Sequence, residues 1–344
     1  SLRHRGLLHA IFLNLSEDFC TGERNRWCAE YKGVPNTAMP NVFHPDFPDY
    51  CDRVARKLCA PNRDDKDLLG YFIDNELVWQ SADDPALAAE RYFKLTTEAI
   101  RKYDPNHLVL GCRFAGLDGA PESVWAAAGR YCDVVTFNCY PWADLDRNVV
   151  LDAKGGRPIV ERFEAVYRLA HRPLLITEWS FPALDTGRPC LNGAGQRFKT
   201  QTERVEASGL FARTMLAQSY VLGHSYFMWL DQPVLGTNGE HPEDCNYGLV
   251  SETGVPYEPL VRMFAALDRD VNILRKNIAM PKERHLPVRR KEPSAAELFK
   301  SSATDECCRV VFERKGRRWR MANAEGLLLA GWEDGTNMIE EVRL

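Results

Sequence analysis

Two short segments place acids at the ends of apolar runs. In Gly70 to Trp79 (GYFIDNELVW) the run ends in Asp74-Asn75-Glu76, and in Leu174 to Phe181 (LLITEWSF) another delivers Glu178 between Thr177 and Trp179. Acids there are costly to place against a core unless something uses them. Each segment alone has an ordinary explanation, a helix N-cap or surface turn for the first and a salt-bridge partner for the second. Together they meet a specific requirement. Cleaving a glycosidic bond takes one protonated carboxyl to assist the leaving oxygen and one ionised carboxylate to attack or stabilise the sugar cation. Glu76 is the expected proton donor and Glu178 the expected nucleophile. Asn75 stands beside the acid to hydrogen-bond a sugar hydroxyl. Tyr140, ending FNCY, is a donor for the nucleophile, and Trp229, ending YFMW, offers a flat apolar face for a pyranose ring. Core packing explains a lone aromatic equally well, and it is the shared place at run ends that nominates these two.

The elements that must hold these residues follow one pattern. From Leu7 to about Lys276, short apolar runs alternate with longer amphipathic stretches, as parallel strands alternate with crossover helices. Six strands are predicted: LLHAIFLNL from Leu7, LLGYFIDNE from Leu68, HLVLGCRFA from His107, DVVTFNCYPW from Asp133, PLLITEWSF from Pro173 and HSYFMWLDQP from His224. The helices expected after them are Phe47 to Cys59, Pro85 to Lys102, Glu122 to Tyr131, Pro158 to His171, Thr202 to Leu222 and Glu258 to Lys276. Polar and aromatic residues crowd the C-terminal strand ends, where a (β/α)8 TIM barrel keeps its site. The long connections, Ser16 to Asp46, Pro182 to Gln201 and Pro233 to Tyr257, lie at the same face. After Lys276 a basic, proline-containing stretch leads to the alternating runs RVVFE, RRWRM and GLLLAGW, a small antiparallel appendage without helices. The expected division is therefore a catalytic barrel over 1–278 and a linker with a β appendage over 279–344.

With these elements in place, a resemblance emerges. Asn-Glu at one strand end, Tyr two strands on, Glu three strands on and Trp on the next strand resemble the large clan of retaining glycoside hydrolases on (β/α)8 barrels. Within it NVFHPDFPDYCDRVARKL, LLGYFIDNELVW, ITEWSFPALDTG and FMWLDQP are similar to the β-agarases and related bacterial β-galactan hydrolases, over roughly Pro40 to Leu260. The resemblance implies Asn75-Glu76 as the acid/base pair, Glu178 as nucleophile, Tyr140 as its hydrogen-bond partner and Trp229 as the wall of the subsite nearest the cut. Arg113, Asn138, Trp142, Asp231 and Gln232 are nominated for sugar contacts by strand-end position alone. In the clan the acid/base follows the fourth strand and the nucleophile the seventh. The strands here then number three to eight, with the first two βα units lacking, and an open six-stranded sheet would expose apolar edges. An extracellular or periplasmic location is implied by the resemblance, not by any signal peptide visible in the chain. An agarose-type β-galactan is the implied substrate. A β-galactosidase or β-glucanase, or an inactive carbohydrate-binding remnant, is the alternative.

Composition narrows the remaining classes. Hydrophobic residues are 45% and charged residues 27% of 344, enough for a sizeable core. A net charge of −4 gives no general attraction to nucleic acid or anionic lipid. No apolar run is long enough for a transmembrane helix. The eight histidines do not cluster with acids at strand ends, so no metal and no cofactor is expected. The eleven cysteines form no CxxC pair, and bridges are conceivable among Cys20, Cys28, Cys51 and Cys59. The oligomeric state is not legible.

Overall fold

A computed structural model describes residues 7–21, 39–153, 156–237 and 242–276, with the backbone of 310–315, 318–323 and 328–333. In chain order the first elements are β1 (His9–Phe12), α1 (Leu15–Thr21), α2 (Phe47–Leu58), β2 (Leu68–Phe72), α3 (Pro85–Tyr103), β3 (Leu108–Gly111), β4 (Phe114–Ala115), α4 (Glu122–Tyr131) and β5 (Val135–Asn138). They are followed by β6 (Trp142–Asp144), β7 (Val149–Leu151), α5 (Ile159–Ala170), β8 (Leu174–Glu178), α6 (Gln201–Leu216), β9 (Val221–His224) and α7 (Glu258–Lys276). Local signals set several helix ends. The Asp84 carboxylate accepts from the Leu87 N–H at 3.0 Å, and Pro85 opens α3, where a missing N–H loses nothing. A reciprocal capping box between Thr200 and Glu203 starts α6.

The strands run parallel in two sheets, β1-β2-β3 and β4-β5-β8-β9. β3 and β4 are one apolar run bent at its middle, with Gly111 at φ 80° and Arg113 at φ 44°. Backbone bonds cross the bend, Asp133 N–H to Val109 O at 3.0 Å and Glu76 N–H to Arg113 O at 3.0 Å. Six strand positions thus stand side by side in chain order, an α/β arrangement with crossover helices. The sheets do not close on themselves among the described residues.

One face of this ribbon is packed and the other half-covered. Tyr71, Ile73, Val109, Val135, Phe137 and Ile176 join the helix residues Phe93, Trp125, Phe163 and Phe211 in one large core. Among the apolar residues on alternate positions, Leu108, Leu110 and Val134 are buried, while Ala10, Leu69, Phe72, Leu175 and Leu222 are partly open.

Three sequence expectations shift. The final strand is β9, which ends at the predicted starting residue His224, and α6 stops at Leu216 rather than Leu222. Pairing with β8 decides this: Val221 registers with Leu174 and His224 with Ile176, giving Tyr220-Val221-Leu222 a sheet neighbour that outweighs helix continuation. Beyond His224 the chain still follows β8, through Ser225 N–H to Ile176 O at 2.8 Å and Phe227 N–H to Trp179 O at 3.0 Å. Trp142 belongs to the β6–β7 hairpin rather than to the end of β5, because Pro141 has no N–H to continue the ladder. α1 starts at Leu15, the last residue of the first predicted strand, and runs into the expected connection from Ser16 to Asp46, of which residues 22–38 are outside the described set.

The runs after Lys276 form β10 (Val310–Lys315), β11 (Arg318–Asn323) and β12 (Leu328–Glu333), paired antiparallel in that order. The expected linker and the boundary at 278/279 lie outside the described residues. Cys51 and Cys59 are buried, unbridged thiols, Cys20 is buried, and Cys28 is outside the described set.

Candidate active site

Strand order brings the two nominated glutamates to one end of the ribbon. Glu76 lies just past β2, at φ 52°, and its N–H is held by Arg113, itself at φ 44°. Left-handed backbone at a residue with a side chain costs on the order of 1–3 kcal/mol and clusters where sites are built. Asp74, the first of the three polar residues, serves the core instead. Its buried carboxylate accepts from the Ser16 N–H at 2.7 Å, the Ser16 hydroxyl at 2.6 Å and the Tyr92 hydroxyl.

Asn138, at the end of β5, links the two acids. Its amide donates to Glu76 Oε1 at 2.7 Å and to Asn75 Oδ1 at 3.2 Å, while its own carbonyl accepts from the Thr177 hydroxyl at 2.8 Å. Asn138 also stands opposite Glu178 in the β5–β8 register. Asn75 is thus joined to the acid through a shared partner.

Glu178 is held from two sides. Tyr140 donates its hydroxyl to Oε2 at 3.0 Å, and an Arg113 Nη donates to Oε1. The Arg113 guanidinium also covers the Phe12 and Phe72 rings at 5.9 and 5.8 Å. Burial, with Glu178's charge next, pushes the Tyr140 phenol well up, so it remains a donor.

Burial raises both carboxyls above the ordinary carboxylate range. The opposing forces differ. For Glu178 the Arg113 charge is the main one, helped by the bonds from Tyr140 and Arg113, while the charge of Glu76 pushes the same way as burial. For Glu76 the chief stabiliser of its anion is a neutral amide, Asn138, with Arg113 next, and the charge of Glu243 pushes upward. The pair is electrostatically coupled, and the better-held anion is Glu178.

The aromatic and outer candidates separate. Trp229 is 71% exposed and Trp142 52% exposed, so both present open apolar faces. Asp231 and Gln232 are buried with their polar atoms engaged: Asp231 accepts from Gly248 N–H at 2.8 Å and Tyr257 hydroxyl at 2.7 Å, and Gln232 accepts from Cys245 N–H at 3.0 Å and donates to Glu243. They frame the loop after β9. Glu243 and Tyr247 escaped the sequence reading. Tyr247 packs 6.2 Å from the Tyr140 ring and donates to Ala194 O. Both sit in an aperiodic loop, where no spacing rule points to them.

Fold and site together describe a parallel α/β scaffold presenting two partly buried, unequally supported carboxyls, with Trp142 and Trp229 exposed. No protein-family model matches the chain. The chain resembles β-agarases: it is 29% identical over 189 residues to β-agarase B of Vibrio sp. (strain JT0107), a match covering 55% of this chain and 18% of that protein. The match thus spans less than a fifth of that relative's length. Among solved structures, an agarase crystal structure aligns with a TM-score of 0.58 at 23% identity, covering 78% of this chain and 44% of the other. BpGH50 aligns with a TM-score of 0.61 at 21% identity, covering 79% and 64%. At these identities the structural matches establish a shared fold.

Proposed function

We propose that this chain carries the catalytic site of a retaining glycoside hydrolase acting on an agarose-type β-galactan. Glu178 is the nucleophile and Glu76 the general acid and base. The observation that carries this reading is the unequal support of the two carboxyls. Glu178 has a cation and a phenol on its two oxygens, whereas Glu76 has one amide, so the first proton taken up by the pair belongs on Glu76. One protonated acid opposite one ionised carboxylate is the resting state the double displacement requires.

In the first step Glu178 attacks the anomeric carbon while Glu76 protonates the departing oxygen. In the second, Glu76 takes a proton from water, which displaces Glu178. Asn138 and Asn75 orient Glu76 and reach sugar hydroxyls, and Trp229 and Trp142 offer faces for neutral pyranose rings. The similarity to a protein named β-agarase favours galactan among neutral polymers.

The same reading makes the six-stranded ribbon part of a (β/α)8 barrel that two further βα units would close. Among the described residues its outer strands β1 and β9 have no second sheet neighbour and one face is half-covered, which supports this. Residues 279–344 are proposed to be a linker and a separate β appendage.

The test is product analysis on agarose, porphyran, carrageenan and β-glucans, with proton NMR of the first reducing end formed. Retention on agarose is expected, with the carboxyls about 5–5.5 Å apart. First release of the opposite anomer would remove the nucleophile role from Glu178, and cleavage of β-glucans alone would remove the galactan assignment.

A further inference from the structure

Two thiols meet across the long loops that flank the carboxylate site. Cys190 lies between β8 and α6, and Cys245, 55 positions further on, lies between β9 and α7. Their sulfurs are 2.7 Å apart, closer than unbonded sulfurs settle. Both are buried, in a cluster with Tyr247 against which Phe227 and Met228 pack.

Each partner is held in place. Cys190 sits at φ 47°, and its carbonyl accepts from Arg197 Nε at 3.1 Å. The Cys245 N–H is fixed on Gln232, and its sulfur lies 3.9 Å from Arg197 Nη2.

We infer that Cys190 and Cys245 are a disulfide-forming pair that, in an oxidising environment, staples the loop after β8 to the loop after β9. The oxidant required is a small-molecule disulfide, RSSR. The Cys190 thiolate attacks one sulfur of RSSR, forming a mixed disulfide and expelling RS⁻, which takes up the proton Cys190 gave. Cys245 then loses its proton and attacks the Cys190 sulfur, expelling the second RS⁻, which is protonated in turn. Two cysteines lose two electrons and two protons, and RSSR becomes two RSH. The contact with the Cys245 thiol and the charge of Arg197 hold the Cys190 thiol below its usual range, which suits it to attack first.

The bridge would lie close to the chemistry without entering it. Tyr247 lies between the thiol pair and Tyr140, which in turn donates to Glu178. The covalent state of the two loops is independent of which bond the carboxyls cleave.

The experiment uses the full chain, purified in reductant, desalted and incubated folded with glutathione disulfide. Remaining thiols are then alkylated in denaturant and the chain is digested with trypsin. Cys190 is the sole cysteine of tryptic peptide 169–197 and Cys245 of 214–262, so the bridge has one unambiguous signature. The linked species should form and should vanish on reduction. Recovery of both peptides alkylated, glutathione adducts alone, or either cysteine bridged elsewhere would overturn the pairing. A second arm compares thermal unfolding. The oxidised chain should melt several degrees above the reduced one, because the bridge restricts the unfolded chain. Cys190→Ser and Cys245→Ser should abolish that difference, and an undiminished difference in either variant would overturn the pairing as well.

Discussion

Tyr140 donates its hydroxyl to Glu178 Oε2 at 3.0 Å, so a residue just past β5 orients and charges a residue at the end of β8. The bond favours the ionised carboxylate and lowers its pKa. In Tyr140→Phe the Glu178 carboxyl should therefore titrate higher. A hydrogen bond to a charged group is worth about 1.5–3 kcal/mol, so kcat/KM should fall about 10–100-fold. The acid limb of its pH profile should also move upward, since Glu178 must be ionised to act as the proposed nucleophile. Measuring kcat/KM against pH reads both effects. A limb that stays in place separates Tyr140 from Glu178 ionisation.

The two glutamates are told apart by their rescue behaviour. Glu178→Ala should abolish hydrolysis of every substrate, because no covalent intermediate forms. Glu76→Ala should still be glycosylated by an aryl glycoside with an acidic phenol, then stall, because general-base help worth about 10²–10⁴-fold is gone. Azide needs no base and should restore turnover in Glu76→Ala as a glycosyl azide of retained configuration. Such rescue in Glu178→Ala instead would reverse the assignment.

Burial pushes the Asp74 carboxyl up to about 6 from 3.8, against the bonds from Ser16 and Tyr92. The folded value exceeds the unfolded one. Its contribution to stability is therefore complete below about pH 4 and is lost as pH rises through about 6. A shift of this size corresponds to about 3 kcal/mol. Asp74→Asn does not titrate, so relative to wild type it should gain up to about 3 kcal/mol between pH 4 and pH 7. Urea unfolding of both chains at the two pH values reads this. A constant difference would show that Asp74 is ionised throughout.

Gly70 lies in β2, and a Cβ there would stand 2.1 Å from the Leu108 carbonyl oxygen. That atom is backbone in the paired strand β3 and yields only if the strands separate. Gly70→Ala should cost about 1–3 kcal/mol or more and should disturb the support of Glu76. Gly223→Ala is the contrast, since its nearest neighbour would be the Leu175 side chain at 4.0 Å. Its unfolding midpoint should move little. Comparable losses in both variants would mean that strand propensity, not close approach, governs these positions.

The sequence by itself determined the alternation of parallel strands and helices, and it singled out Glu76 and Glu178. Both follow from local rules. Apolar runs of strand length, amphipathic stretches of helix length and acids at run ends are all readable within a few residues. It was least accurate where a neighbour in space set the outcome. Val221 to His224 became a strand because β8 lay beside them, and Trp142 left β5 for a hairpin once Pro141 ended the ladder. Only the tertiary structure assigned partners. It turned Asp74 into the core and left Glu76 on Asn138, added Arg113 to Glu178 beside the Tyr140 that the resemblance had implied, and brought Cys190 to Cys245. These contacts join residues far apart in the chain, and hydrogen bonding and charge act over a few ångströms of space whatever the sequence distance, so no periodicity could encode them.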